Sequence, residues 1–156
     1  MRKIPLAYFI TFTCYGTWLH GDKRGSVDEA HNVYGTKFVE EDSARYNDAR
    51  KRMKEPPMFL TEAQRILVAA VIVDVCLFRK WTLHECNVRS NHVHIVVSGD
   101  VDPDRIMKEV KAYATRRLRE AGEVGQTRTV WTKNGSTRFL WTEPSLFAAA
   151  EYVRNQ

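Results

Sequence analysis

Two histidines separated by a single residue, in Asn91-His92-Val93-His94-Ile95-Val96-Val97, constrain this chain more than any other feature. The segment is dominated by β-branched residues, the composition of a strand with at least one buried face. On a strand, residues two apart share a face, so His92 and His94 project together. Val93, Ile95 and Val97 then point the other way. Trp81 to Val88 reads as a preceding strand, and Arg89-Ser90-Asn91 as the turn between them. The sequence therefore predicts a β-hairpin that presents two imidazoles on one surface.

The remaining segments place this hairpin in a fold. Leu6 to Trp18, rich in aromatic and β-branched residues, reads as a first strand. Thr61 is a good N-cap for a helix whose apolar residues Ile66, Leu67, Ala70, Val71, Val73, Leu77 and Phe78 suggest a long buried element. Asp102 caps a second long helix that opens on Pro103 and stops at Gly122. Its apolar stripe is Ile106, Val110, Tyr113/Ala114, Leu118 and Ala121. Gly135 to Trp141 looks like another short strand. Thr142-Glu143-Pro144 opens a last helix carrying Leu146, Phe147, Ala150, Tyr152 and Val153. The resulting β, α, β, β, α, β order is an α+β, ferredoxin-like βαββαβ core: an antiparallel sheet with helices packed on one face. Residues 21–57 are polar and read as a surface excursion from a single domain spanning 1–156, with a short helix over Glu40 to Lys54 ended by Pro56-Pro57.

Two imidazoles on a stiff strand form a bidentate platform for a divalent cation. Two ligands do not close a structural site, so a third protein ligand and open positions are expected, as a catalytic metal requires. Open positions on a hard cation suit phosphate oxygens. The helix from Pro103 supplies the second chemical feature. Tyr113 lies on or beside its apolar stripe, flanked by Arg105, Lys108, Lys111, Arg116, Arg117 and Arg119. Nearby cations stabilise a phenolate and bind a phosphodiester backbone. A packed tyrosine beside a solvated basic face fits the same spacing. Trp131, Phe139 and Trp141, near Arg128, Lys133 and Arg138, resemble a stacking surface for unpaired bases, although core packing accounts for some of them equally well. His84 reads as structural, and His20 as a residue able to line a pocket.

Charge and composition narrow the partners. The 156 residues carry a net charge of +5, which permits a polyanionic partner without demanding one. Cys14, Cys76 and Cys86 form no CxxC pair, which argues against a thiolate zinc site or a disulfide framework. The apolar run from Ile66 to Phe78 is too short to span a bilayer. No membrane association and a reducing, cytoplasmic setting are therefore expected.

The Asn91-His92-Val93-His94 motif, its apolar continuation and the basic helix bearing a tyrosine resemble the single-tyrosine HUH transposases. These are the IS200-like insertion-sequence type and the related REP-associated tyrosine transposases. The resemblance extends over most of the chain, from the first strand to Arg138-Phe139-Leu140-Trp141. It implies a homodimer acting on single-stranded or hairpin DNA, with Mg2+ or Mn2+ held by His92 and His94. Tyr113 would attack the scissile phosphate, giving a 5′-phosphotyrosine link and a free 3′-hydroxyl. Arg105, Lys108, Lys111, Arg116 and Arg117 would contact the DNA backbone. The resemblance also implies a polar metal ligand about one turn past the tyrosine. Arg117 stands there and cannot ligate, so Glu109 or Glu120 would substitute. Histidine-triad nucleotide hydrolases need a third histidine where Val96 stands. A domesticated, catalytically weakened nucleic-acid-binding protein of the same fold and a metal-binding domain unrelated to DNA are the alternatives.

Overall fold

The computed structural model describes residues 3–17 and 43–156. Its elements run β1 (Ala7–Thr13), α1 (Ser43–Lys51), α2 (Glu62–Arg79), β2 (Thr82–Val88), β3 (His92–Ser98), α3 (Pro103–Glu120), β4 (Ser136–Leu140) and α4 (Glu143–Arg154). The four strands form an antiparallel sheet in the order β2-β3-β1-β4, the ferredoxin-like arrangement expected from the sequence. Of the polar excursion, residues 43–57 contain α1, while 21–42 lie outside the described residues, as does His20.

Side-chain alternation divides the interior into two cores. Tyr8, Ile10 and Phe12 of β1 and Val93, Ile95 and Val97 of β3 face α2 and α3, meeting Val68, Ile72, Ile106, Val110 and Leu118. Ala7 and Phe9 of β1, Val96 of β3 and Leu140 face the opposite way, onto Ala149 and Val153 of α4. Helices α2 and α3 thus cover one face as expected, and α4 covers part of the other.

Local chemistry explains where the elements begin. Thr61 caps α2 reciprocally: its hydroxyl accepts from Gln64 N, and the Gln64 side chain accepts from Thr61 N. Asp102 accepts from Asp104 N at the start of α3, ahead of Pro103. Thr142 caps α4 through Ser145. Gly135, which leads into β4, is required by close approach: a Cβ there would stand 2.6 Å from the Thr11 carbonyl oxygen and 2.6 Å from Met107 Sδ.

The buried stripe of α2 differs from the one expected. Gln64, Val68, Val71, Ile72, Val75 and Cys76 face inward, whereas Ile66 is 64% exposed and Leu77 73%. The run from Ile66 to Phe78 is apolar nearly all round, so its pattern does not fix the inward face; the sheet and α3 do. Replacing Ile72 by Ala should therefore lower the unfolding free energy by about 2–5 kcal/mol. Ile66→Ala should stay within about 0.5 kcal/mol of the parent. Denaturant unfolding of the two variants checks the assignment, and equal losses would contradict it.

Candidate metal and nucleophile site

His92 and His94 share the face of the sheet that α4 covers. Their ring centroids are 4.7 Å apart. Each ring is held from its Nδ1 side. His92 Nδ1 lies 2.7 Å from Asn91 Oδ1, and His94 Nδ1 lies 2.8 Å from the Thr11 hydroxyl. An amide oxygen only accepts, so His92 donates from Nδ1 and keeps its lone pair on Nε2. The Thr11 hydroxyl can accept from His94 in the same way. The strand pairing that sets Thr11 opposite His94 thus orients the imidazole as well.

His94 is only 7% exposed and lies in a ring cluster with Phe9, at 5.5 Å, and Tyr152, at 5.7 Å. Burial pushes its pKa down to about 4, with smaller contributions from His92 and Arg89. The ring is therefore neutral at physiological pH, as a metal ligand must be. Paired imidazoles with anchored Nδ1 atoms fit a divalent cation. Among the described residues, no group of three or more His, Cys, Asp or Glu side chains is placed to hold one.

The structure does not bring Tyr113 to this site. Its helix lies across the sheet from the histidines, and Tyr113 sits partly buried against the α2–α3 core, with the Arg116 guanidinium 5.8 Å from its ring centroid. The expected convergence of this phenol with the imidazoles fails because His92 and His94 alternate away from Val93, Ile95 and Val97, the residues that α3 covers. Glu109 and Glu120 are displaced from the histidines for the same reason. Glu109 pairs with Arg79 at 3.0 Å and with Arg105 at 3.9 Å, tying α3 to α2. Glu120 is exposed at the end of α3.

The basic residues divide similarly. Arg105, Lys108, Arg116 and Arg117 are exposed on α3, on the side away from the histidines. Lys111 is unsuited to the backbone contact expected of it. Its ammonium donates to the Thr132 carbonyl at 2.9 Å and lies over Phe12, and burial lowers its pKa to about 8. The aromatic surface also breaks up. Trp131 is buried edge-on to Phe12 with its indole N–H donated to the Lys111 carbonyl, while Phe139 and Trp141 are exposed. Arg138 shares the face of Phe9, and His84 bonds Ser98 at the far end of β3 from His92.

The tyrosine beside the histidines is Tyr152, near the end of α4. Its ring lies 5.7 Å from His94 and 6.0 Å from Phe9, and it is 51% exposed. Val153 buries against the sheet, and Tyr152, one position earlier, lies over the central strands β1 and β3 through Phe9 and His94. The sequence did carry a signal here. Tyr152 is followed four residues later by Gln156, a polar residue one helical turn on. Two long elements on opposite sides of the sheet each offered a tyrosine, and only the face carrying the histidines decides between them.

A ferredoxin-like sheet with a paired-histidine strand facing a helical tyrosine sets two imidazoles beside a phenol. Comparison with known proteins specifies the family. The family model described as "Transposase IS200 like" matches residues 52–156, and the chain belongs to that family. One similar solved structure is a REP-associated tyrosine transposase bound to a REP hairpin, with a TM-score of 0.55 and 13% identity over 98% of this chain and 67% of that one. Another is a Deinococcus radiodurans protein described as a candidate transposase, with a TM-score of 0.48 and 14% identity over 100% of this chain and 98% of that one. No curated protein matches the chain. Among the described residues, no helix is long and apolar enough to cross a membrane.

The depressed His94 pKa predicts an acid-sensitive fold. Above pH 6.5 the ring is neutral in both the folded and unfolded chain. Between 6.5 and 4 only the unfolded chain takes up the proton, so stability falls with pH, by about 3 kcal/mol through this group. In metal-free buffer, His94→Gln should flatten the stability–pH curve across that window. An unchanged slope would contradict the burial-driven shift.

Proposed function

We propose that this transposase-family chain is a metal-dependent single-strand DNA endonuclease and strand transferase, with Tyr152 rather than Tyr113 as its nucleophile. The observation that carries this reading is the Tyr152 ring packed 5.7 Å from His94 on the histidine face of the sheet. His92 and His94 would hold Mg2+ or Mn2+ through Nε2. Gln156, one turn past Tyr152, takes the place of the third ligand that the family resemblance expects one turn after the tyrosine. The bound cation would polarise the scissile phosphate and favour the phenolate.

The residues of the chain account for the rest. Burial keeps His94 neutral, while Asn91 and Thr11 hold the two imidazoles in orientation. Half-exposed Tyr152 lets a strand approach from solvent while Phe9 backs the site. The phenolate oxygen attacks phosphorus, forming an O–P bond as the P–O3′ bond breaks. The phenol proton leaves to solvent, and the departing oxygen takes up a proton to become a 3′-hydroxyl. One phosphodiester replaces another, so a later attack by a 3′-hydroxyl completes strand transfer without a nucleotide cofactor.

Hairpin DNA is the substrate this reading favours, in keeping with the hairpin carried by the structurally similar REP-associated transposase. The exposed α3 cations Arg105, Lys108, Arg116 and Arg117 would serve the stem rather than the reacting phosphate. Neutralising all four should reduce the salt dependence of DNA affinity while leaving the single-turnover cleavage rate unchanged. A homodimer in a reducing cytoplasm goes with the same proposal, and the three thiols are free.

The test is to incubate the chain with labelled, hairpin-bearing single strands with randomised flanks in Mn2+ and look for a denaturant-resistant adduct. Tyr152→Phe should abolish the adduct and retain DNA binding, whereas Tyr113→Phe should retain both. His92→Ala with His94→Ala should abolish Mn2+ binding, read by electron paramagnetic resonance. Adducts that persist in Tyr152→Phe and vanish in Tyr113→Phe would restore the α3 nucleophile. DNA binding without an adduct in the parent chain would favour a DNA-binding protein that has lost cleavage.

A further inference from the structure

The last turn of α4, which carries Tyr152, is held in place by polar side chains from another element. A helix leaves its final carbonyls without intrahelical donors. Here strand β2 supplies a donor to one of them, and β2 with the turn after it also holds Gln156, two residues past the helix end. Asn87 Nδ2 donates to the Val153 carbonyl at 2.9 Å and to the Gln156 carbonyl at 3.2 Å. Arg89 Nη1 donates to the same Gln156 carbonyl at 2.7 Å. A cation at a helix C-terminus also complements the helix dipole.

Asn87 can do this because of a local irregularity. The register of β2 against β3 shifts between Leu83 and Glu85. Leu83 opposes Val97, on the α2–α3 side, yet Glu85 opposes Val96 and Asn87 opposes His94, both on the α4 side. The bulge at His84 therefore turns the end of β2 so that its amide lies beside the imidazole pair and reaches the helix. Glu85 adds an exposed ion pair to Arg154 at 3.0 Å, a weak tie on its own.

We propose that Asn87 and Arg89 are positioning residues for strand cleavage: by capping the carbonyls of Val153 and Gln156 they fix the rotation and height of Tyr152 relative to His92 and His94. The proposal rests on Tyr152 being the nucleophile. The apolar contact beneath α4 is made by Ala149, Val153 and Leu146, of which two are small or β-branched. Such a face resists separation better than it resists rotation or sliding, so directional hydrogen bonds set the phase. An in-line displacement is sensitive to that phase, because a displacement of about 1 Å can cost on the order of 100-fold in rate.

The test uses the full chain, the hairpin-bearing single strands and saturating Mn2+. Asn87→Leu keeps approximate size and removes the donor. It should lower the single-turnover rate of adduct formation by about 10- to 100-fold. The DNA dissociation constant should stay within about twofold of the parent, well short of the rate loss expected for a misplaced phenol. Asn87→Gln, which retains the amide, should recover much of the rate. Arg89 is exposed, so Arg89→Ala leaves a folded chain and should slow the same step without weakening DNA binding. Tyr152→Phe runs alongside. If it still forms adduct, or if the parent chain forms none, the nucleophile assignment falls and this proposal with it. If Tyr152→Phe is dead while Asn87→Leu and Arg89→Ala cleave at the parental rate, only the positioning role is overturned. A loss confined to DNA affinity, or no recovery in Asn87→Gln, would also overturn it.

Discussion

Backbone alternation along β3 is the constraint on which the site depends. It sends Val93, Ile95 and Val97 into the larger core and, by the same geometry, His92 and His94 to the opposite surface. The buried valines and isoleucine make the strand central and stiff. That stiffness holds two imidazoles in register without a dedicated scaffold. A one-residue slip would exchange the two sets and bury both histidines under α3. Fold stability and site placement are therefore set by the same alternation.

The two faces of the sheet have different physical characters. On the α2–α3 side, large aliphatic and aromatic residues interlock, and even the charged groups are tied in, as with Lys111 to the Thr132 carbonyl and Glu109 to Arg79. On the α4 side the core is small: Ala7, Phe9, Val96, Leu140, Ala149 and Val153. Polar contacts from β2 supplement it, and His94 lies among aromatic rings at its edge. A lightly packed helix over a rigid sheet leaves its tyrosine half-exposed to solvent while the imidazoles stay fixed.

Much of the fold was legible in the sequence because its signals are local. Thr61, Asp102 and Thr142 cap α2, α3 and α4, and His92–Ser98 is the strand that the alternation indicated. The motif Asn91-His92-Val93-His94 also pointed to the family that the chain belongs to. The inward face of α2 was not legible, because apolar residues surround that helix almost completely and periodicity then carries little information.

By itself the sequence determined that two imidazoles share one face of a strand within a ferredoxin-like sheet, since a period of two and a few capping residues suffice for that. It also supplied two tyrosines on helices, Tyr113 and Tyr152, and although the polar Gln156 follows the second, neither periodicity nor charge pattern says which phenol faces the histidines. Which phenol meets the imidazoles depends on which helix covers which side of the sheet, and on the bulge that turns Asn87 toward the end of α4. Those are relations between residues more than 60 positions apart for Tyr152 and His94's neighbours on β2. Only tertiary packing decided them, because burial, not sequence proximity, chooses the side of a sheet on which a helix comes to rest.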